Sequence, residues 1–236
     1  MKHSLFKTIN RGNFWYEHRY ARRRRAGQLK PKKVEALADE VIVEVACGEY
    51  HTCAVTSTGS IFTWGGDFET GHGEDVSVLK PRLLQGLSSK GVINVSAHYH
   101  TACVTKAGEV FTWGDGFHGQ LGHGDEGDKQ EHPKRVEALV GVKAIQVSCG
   151  YRDTAVCTED GRMYTFGNGE HGKLGHGDKE DKSSPALVQA LVGKDITQVQ
   201  CGARSTMALT SSGYVFTCGN VKDGLLGRHD DVNPNC

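Results

Sequence analysis

The sequence predicts an all-β fold built from a repeated unit of about fifty residues. A glycine-rich run, TWGDGFHGQLGHGD at 112–125, returns as TFGNGEHGKLGHGD at 165–178. Short β-prone runs precede it, and their threonines recur at steps of 49, 53 and 52 residues: Thr52, Thr101, Thr154 and Thr206. A period of this length is typical of blade repeats, so we expect a β-propeller, in which small sheets are arranged around a central axis.

Each repeat contains a predicted β-hairpin. The turn dipeptides all end in glycine, which supplies the positive φ that tight hairpin turns need: Thr58-Gly59, Ala107-Gly108, Asp160-Gly161 and Ser212-Gly213. In the second strand of one hairpin, Val110 points to one face of the sheet and Phe111 and Trp113 point to the opposite face, because side chains alternate along a strand. Both faces carry apolar side chains, so both are expected to be covered by neighbours.

The order of strands within a blade is a further expectation. The first hairpin strand carries small side chains, such as Ala102, Cys103 and Val104. Small side chains suit a crowded axis, so we expect this strand to be innermost. The run 144–148 is expected to be the final strand of its repeat and to lead into the next one.

The repeats indicate an incomplete propeller of about four blades, preceded by a basic non-repeat arm at 1–27. The propeller region, 28–236, is divided into a partial repeat and four successive ones, the last truncated: 28–44, 45–94, 95–146, 147–198 and 199–236. An open array of repeats leaves uncovered edges at its ends. We therefore expect the chain to self-associate or to be marginally stable.

Charge is distributed unevenly although the chain is neutral overall. Residues 1–33 hold 11 Lys and Arg against the single acid Glu17, which makes the remainder acidic. Aromatic residues alternate with basic ones at 13–25, a run that ends in Arg22, Arg23, Arg24 and Arg25. Such an arm is typical of contact with nucleic acid or an anionic surface, or of nuclear import. A mitochondrial presequence and a solvated tail without a partner are the alternatives.

The run VSCGYRDTAVCTEDGRMYTFGNGEHGKLGHGD at 147–178, together with its three counterparts, resembles the regulator of chromosome condensation repeats. The resemblance covers residues 28 to 236 and implies blades of a seven-bladed propeller. It also implies two uses. One is docking of a substrate or regulatory protein partner beside a ubiquitin-ligase, kinase or lipid-binding domain elsewhere in a longer chain, and the other is guanine-nucleotide exchange on a small GTPase through a wedge inserted between strands. The regular repeat steps leave no room for a wedge. We therefore expect a non-catalytic protein-interaction module, with exchange as the alternative.

Residues with catalytic or metal-binding chemistry are all explained by the repeat. His98 and His100, or the His and Asp of the two GHGD runs, could in principle bind a metal, but the GHGD runs recur because the loop recurs. The glycine-rich loop lacks the Lys-Ser/Thr of a nucleotide-binding loop. We therefore predict no catalytic residues, no metal and no cofactor.

The best candidates for partner contact lie in short segments just before equivalent strands. These segments are expected at one end of the blades, where exposed loops commonly bind partners. The candidate residues are Glu49, Tyr50, His98, Tyr99, Tyr151 and Arg152. Their neighbours His51, His100 and Asp153 are instead predicted to bond to the backbone within their own blade.

Cysteines occupy repeat positions, such as Cys47, Cys149 and Cys201, and form no Cys-x-x-Cys pair. This pattern favours reduced thiols in an intracellular protein. The sequence has no apolar run of about 20 residues and no secretory signal pattern. We expect a location in the cytoplasm or nucleus, with mitochondria as the lesser alternative.

Overall fold

A computed structural model describes residues 29–66, 68–73, 77–124, 127 and 129–228. The chain forms two units, Met1–Glu35 and Ala36–Cys236. The strands of the described ranges all belong to the second unit, and they form four antiparallel sheets. The predicted all-β fold built from blades is confirmed.

Each sheet is one blade, and its strands pair in the order in which they follow along the chain. The first blade contains β1 (Ile42–Cys47), β2 (His51–Thr56), β3 (Ile61–Gly65) and β4 (Val78–Leu83). The second contains β5 (Val92–Ala97), β6 (His100–Thr105), β7 (Val110–Asp115) and β8 (Lys129–Arg135). The third contains β9 (Ala144–Cys149), β10 (Asp153–Thr158), β11 (Met163–Gly167) and β12 (Lys182–Leu187). The fourth contains β13 (Ile196–Cys201), β14 (Ser205–Thr210) and β15 (Val215–Gly219).

The connections are tight turns and single 3₁₀ turns. The predicted hairpin glycines adopt the left-handed conformation, with φ of 84°, 79°, 73° and 83° at Gly59, Gly108, Gly161 and Gly213. The 3₁₀ turns are Glu35–Leu37, Phe68–Thr70, Gln85–Leu87, Glu137–Leu139, Glu170–Gly172, Gln189–Leu191 and Lys222–Gly224. Within the described ranges, no helix has the length and apolar character to cross a membrane.

The strand nearest the axis differs from the expectation. β2, β6 and β10 are second in their sheets, whereas β1, β5, β9 and β13 are edge strands that contact one another between successive blades. These edge strands are therefore innermost, and the run at 144–148 opens the third blade as part of β9. Small residues recur in β6 because it lies between two neighbours: Cys103 packs in the core towards the first blade and Ala102 in the core towards the third.

Side chains bond the inner strands to each other. The Asn94 side-chain oxygen accepts from the Val147 backbone N–H at 2.8 Å, and the Ser96 hydroxyl accepts from the Cys149 N–H at 2.9 Å. One blade later, the same two bonds recur at 2.8 and 2.9 Å, with acceptors Gln146 and Ser148 and donors Val199 and Cys201. Two backbone N–H groups on each of β9 and β13 are thus satisfied by side chains of the preceding blade, without a further strand.

The hydrophobic core consists of three clusters, one between each pair of consecutive blades. The prediction that both faces of a blade are covered is confirmed in β7, where Phe111 and Trp113 pack towards the first blade and Val110 towards the third. In the first cluster, Leu84 and Leu87 from the segment after β4 complete the packing. Each blade therefore depends on its neighbours to bury its faces.

Glycines of the long loops let the aromatic side chain of the following blade lie directly on the backbone. A Cβ on Gly71 would come 2.8 Å from Trp113 Nε1, and one on Gly122 would come 2.7 Å from the Phe166 ring. Trp113 also donates from Nε1 to the Glu69 carbonyl at 2.9 Å. Both glycines have φ above 70°, a conformation that L side chains rarely adopt. The glycine-rich loop is therefore an interlock between blades.

We expect Trp113→Ala to lower the free energy of unfolding by about 3–5 kcal/mol, because this fully buried ring fills the contact between two blades. Trp64→Ala is the matched control: it holds the same repeat position but is only half-buried, so its loss should be clearly smaller. Urea denaturation would measure both, and equal losses would contradict the interlock. Trp113→Phe, which copies the residue at Phe166, should cost less than the alanine variant.

Candidate functional site

The candidate site lies at one end of the four blades. Because the strands are antiparallel, the loops between first and second strands share an end with the long glycine-rich loops, and the hairpin turns lie at the opposite end. The first of these loops approaches the second directly, since the Glu49 N–H donates to the His98 carbonyl at 3.0 Å. Consecutive blades thus present their candidate residues side by side.

Four rings from three blades form a continuous group, which we call the aromatic cluster: Tyr50, His98, Tyr99 and Tyr151. Ring centroids are 6.3 Å apart for Tyr50 and Tyr99, 5.3 Å for Tyr99 and Tyr151, 5.0 Å for His98 and Tyr99, and 5.8 Å for His98 and Tyr151. Most contacts are edge-to-face, the arrangement that aromatic quadrupoles favour. All four side chains are half-buried, so part of each ring is open to a partner.

Charged groups flank the aromatic cluster. The guanidinium of Arg152 lies 4.7 Å from the centroid of Tyr151, a cation–π contact. Glu49 is exposed at the other side. Burial lowers the pKa of His98, and the Glu49 carboxylate partly opposes that shift. The structure therefore brings all six predicted contact residues into one surface, with an acid at one side and a base at the other.

Beneath this surface, buried polar side chains join the blades. His51 Nε2 lies 2.6 Å from the Thr101 hydroxyl, and His100 Nε2 lies 2.7 Å from the Thr154 hydroxyl. The expectation that these histidines bond to the backbone of their own blade is wrong: each contacts a threonine of the next blade. Each histidine ring extends across the boundary between two blades and reaches the start of the hairpin in the next blade, where the threonine lies.

The third blade has an ion pair in this layer. Asp153 takes the repeat position of the histidines, and its carboxylate lies 3.4 Å from Lys173 Nζ, with both side chains almost fully buried. Lys173 also donates to the Asn168 side-chain oxygen at 2.9 Å. Burial raises the pKa of Asp153, and the Lys173 ammonium opposes that shift. Asp153 therefore contacts a long-loop side chain of its own blade in addition to the Arg152 backbone, which was the kind of partner predicted for it.

Burial keeps the two histidines neutral. It lowers the pKa of His51 to about 4, with His98 adding to the shift, and that of His100 to about 3, with His98 and His51 adding. A neutral imidazole can bond a threonine hydroxyl without the desolvation cost of a buried charge. These side chains support the loops that carry the candidate surface.

The histidines of the glycine-rich loops have a structural partner. His123 Nε2 lies 3.1 Å from the Thr112 hydroxyl and His176 Nε2 lies 2.9 Å from the Thr165 hydroxyl. The same hydroxyls donate to the carbonyls of Leu121 and Leu174. Among the described residues, no group of three or more His, Cys, Asp or Glu side chains is placed to hold a metal.

Sequence reasoning missed the layer that supports the cluster. Thr101 and Thr154 marked the repeat, but their role as partners of histidine on the preceding blade was not foreseen. Glu69, Gln120 and Lys173 are also buried below the loops. The only sequence signal for this was that the three residues occupy equivalent positions in successive repeats. The predicted basic contacts Arg22–Arg25 lie outside the described residues, as does Asp125 of the first GHGD run.

The stability should depend on pH through the buried histidines. Their pKa is low in the folded state and ordinary, 6.5, when unfolded, so below pH 6.5 the unfolded chain takes up protons that the folded chain does not. As the pH drops from 6.5 to 5, we expect each of the two histidines to lower the free energy of unfolding by up to about 1.4 kcal/mol per pH unit. His100→Gln should show a shallower fall in urea denaturation. His118→Gln, at a partly exposed side chain, is the control, and identical slopes for all three proteins would contradict this role.

The model of the regulator of chromosome condensation (RCC1) repeat matches four successive segments: 18–55, 58–104, 107–157 and 160–209. Human E3 ubiquitin-protein ligase HERC2 is 39% identical over 212 residues, which cover 86% of this chain and 4% of that protein. The ultraviolet-B receptor UVR8 of Arabidopsis thaliana is 38% identical over 208 residues, covering 86% and 47%. The chain therefore spans less than half the length of these two relatives.

Solved structures agree with the fold. Human WBSCR16 superposes with a TM-score of 0.72 at 27% identity, covering 80% of this chain and 50% of that one. Yeast RCC1 (Prp20), crystallised with Kap60, superposes with a TM-score of 0.66 at 22% identity, covering 80% and 45%. The repeated interlock, the blade topology and the four matched segments lead to one conclusion: the chain belongs to the regulator of chromosome condensation repeat family.

Proposed function

We propose that this chain is a non-catalytic protein-interaction module that binds a regulatory protein through the aromatic cluster, Arg152 and Glu49. The observation that carries the proposal is the meeting of Tyr50, Tyr99 and Tyr151 from three separate blades on one surface. Tyrosine and arginine are enriched among residues that dominate binding energy. The partner that fits the aromatic cluster and its flanking charges is an intracellular protein.

The scaffold supports this role because the rings are held before a partner arrives. Edge-to-face contacts fix the rings relative to each other, and the buried His51–Thr101 and His100–Thr154 bonds fix the loops below them. A surface that is already ordered loses little side-chain entropy on binding. Its two flanking charges would orient the partner, with the partner's acid near Arg152 and its base near Glu49.

Exchange on a small GTPase is the competing function. Each described hairpin turn joins its strands through four residues, 57–60, 106–109, 159–162 and 211–214. None of these turns is long enough to form an inserted wedge. Light sensing is also disfavoured, since Tyr50, Tyr99 and Arg152 occupy the positions where the resemblance implies tryptophans in light-sensing members.

We expect Tyr99→Ala to weaken partner binding by about thirtyfold, because Tyr99 contacts three other rings at the centre of the cluster. Tyr214→Ala is the matched control: this exposed tyrosine lies in the hairpin turn between β14 and β15, at the opposite end of the blades. The immobilised wild-type chain and both variants would be compared by quantitative pull-down and then by titration with each recovered protein.

A partner kept by the wild type and Tyr214→Ala but lost by Tyr99→Ala supports the proposal. Equal recovery on all three proteins contradicts the assigned surface. Any GTPase recovered would be tested for release of bound nucleotide, and accelerated release would replace the interaction module with the exchange function. Thermal melts of the variants would separate lost contact from lost folding.

A further inference from the structure

The long loops of the first two blades each carry a phenylalanine, and the two rings differ in what covers them. Phe68 lies on the loop of the first blade, and Lys129 Nζ of the second blade lies 5.2 Å from the centroid of its ring, a cation–π contact. Phe117 lies on the loop of the second blade and is 56% exposed. Among the residues that the structure describes, no cation and no aromatic ring lies against Phe117.

The third blade has an acid where the second blade has the lysine that covers Phe68. Gln130 on β8 and Lys182 on β12 pair with equivalent glycines, so these two residues are themselves equivalent. The residue before each is Lys129 in the second blade and Asp181 in the third. A carboxylate therefore stands beside the second loop at the place where an ammonium group stands beside the first.

The turn that carries Phe117 is fixed between this carboxylate and the aromatic cluster. His118 Nδ1 lies 3.7 Å from an oxygen of Asp181, whose side chain is 49% exposed. The Phe117 N–H donates to the Asp115 side chain at 3.1 Å, and the Asp115 N–H donates to the Tyr99 carbonyl at 3.1 Å. The ring and the half-exposed carboxylate thus extend the candidate surface outwards from Tyr99.

The repeat itself does not require an apolar side chain at position 117. The turns 116–119 and 169–172 are equivalent, and each is closed by an N–H to carbonyl bond of 2.9 Å. Glu170 holds the place of Phe117 in the third blade, with a side chain that is 68% exposed. A charged side chain is therefore compatible with this turn, and the fold does not account for an exposed phenyl ring there.

We propose that Phe117 and Asp181 form a subsite for one basic side chain, lysine or arginine, of the protein partner, an inference that rests on the proposed function. The partner's cation lies over the Phe117 ring, as Lys129 lies over Phe68 within the chain, and the Asp181 carboxylate pairs with it. The same carboxylate repels an acidic side chain, so the subsite selects partners by charge.

The first test selects peptides from a random library on the immobilised wild-type chain and measures their affinities by titration. We expect the selected peptides to share a lysine or arginine. They should bind Phe117→Leu about fivefold more weakly than the wild type, because leucine keeps an apolar contact but has no π face. Phe117→Trp should bind them more tightly, since indole attracts cations best. Phe68→Leu is the matched control and should leave the affinity unchanged, because that ring is already covered by Lys129.

The second test removes the charge of Asp181 and keeps its shape. In Asp181→Asn the side-chain oxygen can still accept from the Gly169 N–H, as the carboxylate does at 2.8 Å. We expect binding about threefold weaker at low salt and a smaller effect of added salt. Norleucine in place of the basic residue of the peptide should remove the difference between the wild type and both variants. Unchanged thermal melts show that the variants fold.

Tyr99→Ala separates failure of the subsite from failure of the proposed function. Peptides weakened by Tyr99→Ala but by neither Phe117→Leu nor Asp181→Asn overturn the subsite and leave the aromatic cluster as the contact surface. Peptides weakened by Phe117→Leu and Asp181→Asn but not by Tyr99→Ala support the subsite and contradict the aromatic cluster. Peptides weakened by none of the three overturn both. Selection of peptides without a shared basic residue, or of none, overturns the subsite.

Discussion

The structure depends on one repeated contact, in which a loop glycine of one blade packs against an aromatic side chain of the next blade. Trp113 rests on Gly71 and Phe166 rests on Gly122, at distances that leave no room for a Cβ. Around these contacts, the three hydrophobic clusters each take residues from two blades. An isolated blade would leave both faces in water, so stability arises from neighbouring pairs, as in other repeat proteins.

The same dependence explains how the blades can hold the proposed contact surface in place. Each buried histidine contacts a threonine of the next blade, and Asp153 pairs with Lys173 within its own blade. They give the loops a fixed base, and the variable residues above that base, Tyr50, Tyr99 and Arg152, are free to differ between blades. Fold and contact surface therefore occupy separate layers of the repeat.

The fold was largely predictable because the period, the turn glycines and the apolar faces are all visible along the chain. The innermost strand was not, because small side chains mark a strand compressed between two sheets as well as one near an axis. Contacts between repeats were also hidden: Trp113 and Glu69 are 44 positions apart, and a repeat pattern does not say which neighbour an aromatic ring faces. The six candidate contact residues were predicted, but the cross-blade His–Thr bonds below them were not.

Native-state hydrogen exchange on the wild-type chain at low concentration tests most directly whether blades stabilise each other in pairs. The account predicts the slowest exchange in β6 and β10, whose blades have neighbours on both sides, and exchange at least about tenfold faster in β2 and β14 of the end blades. Equal protection in all four blades would contradict it, because the blades would then be stable independently of how many neighbours they have.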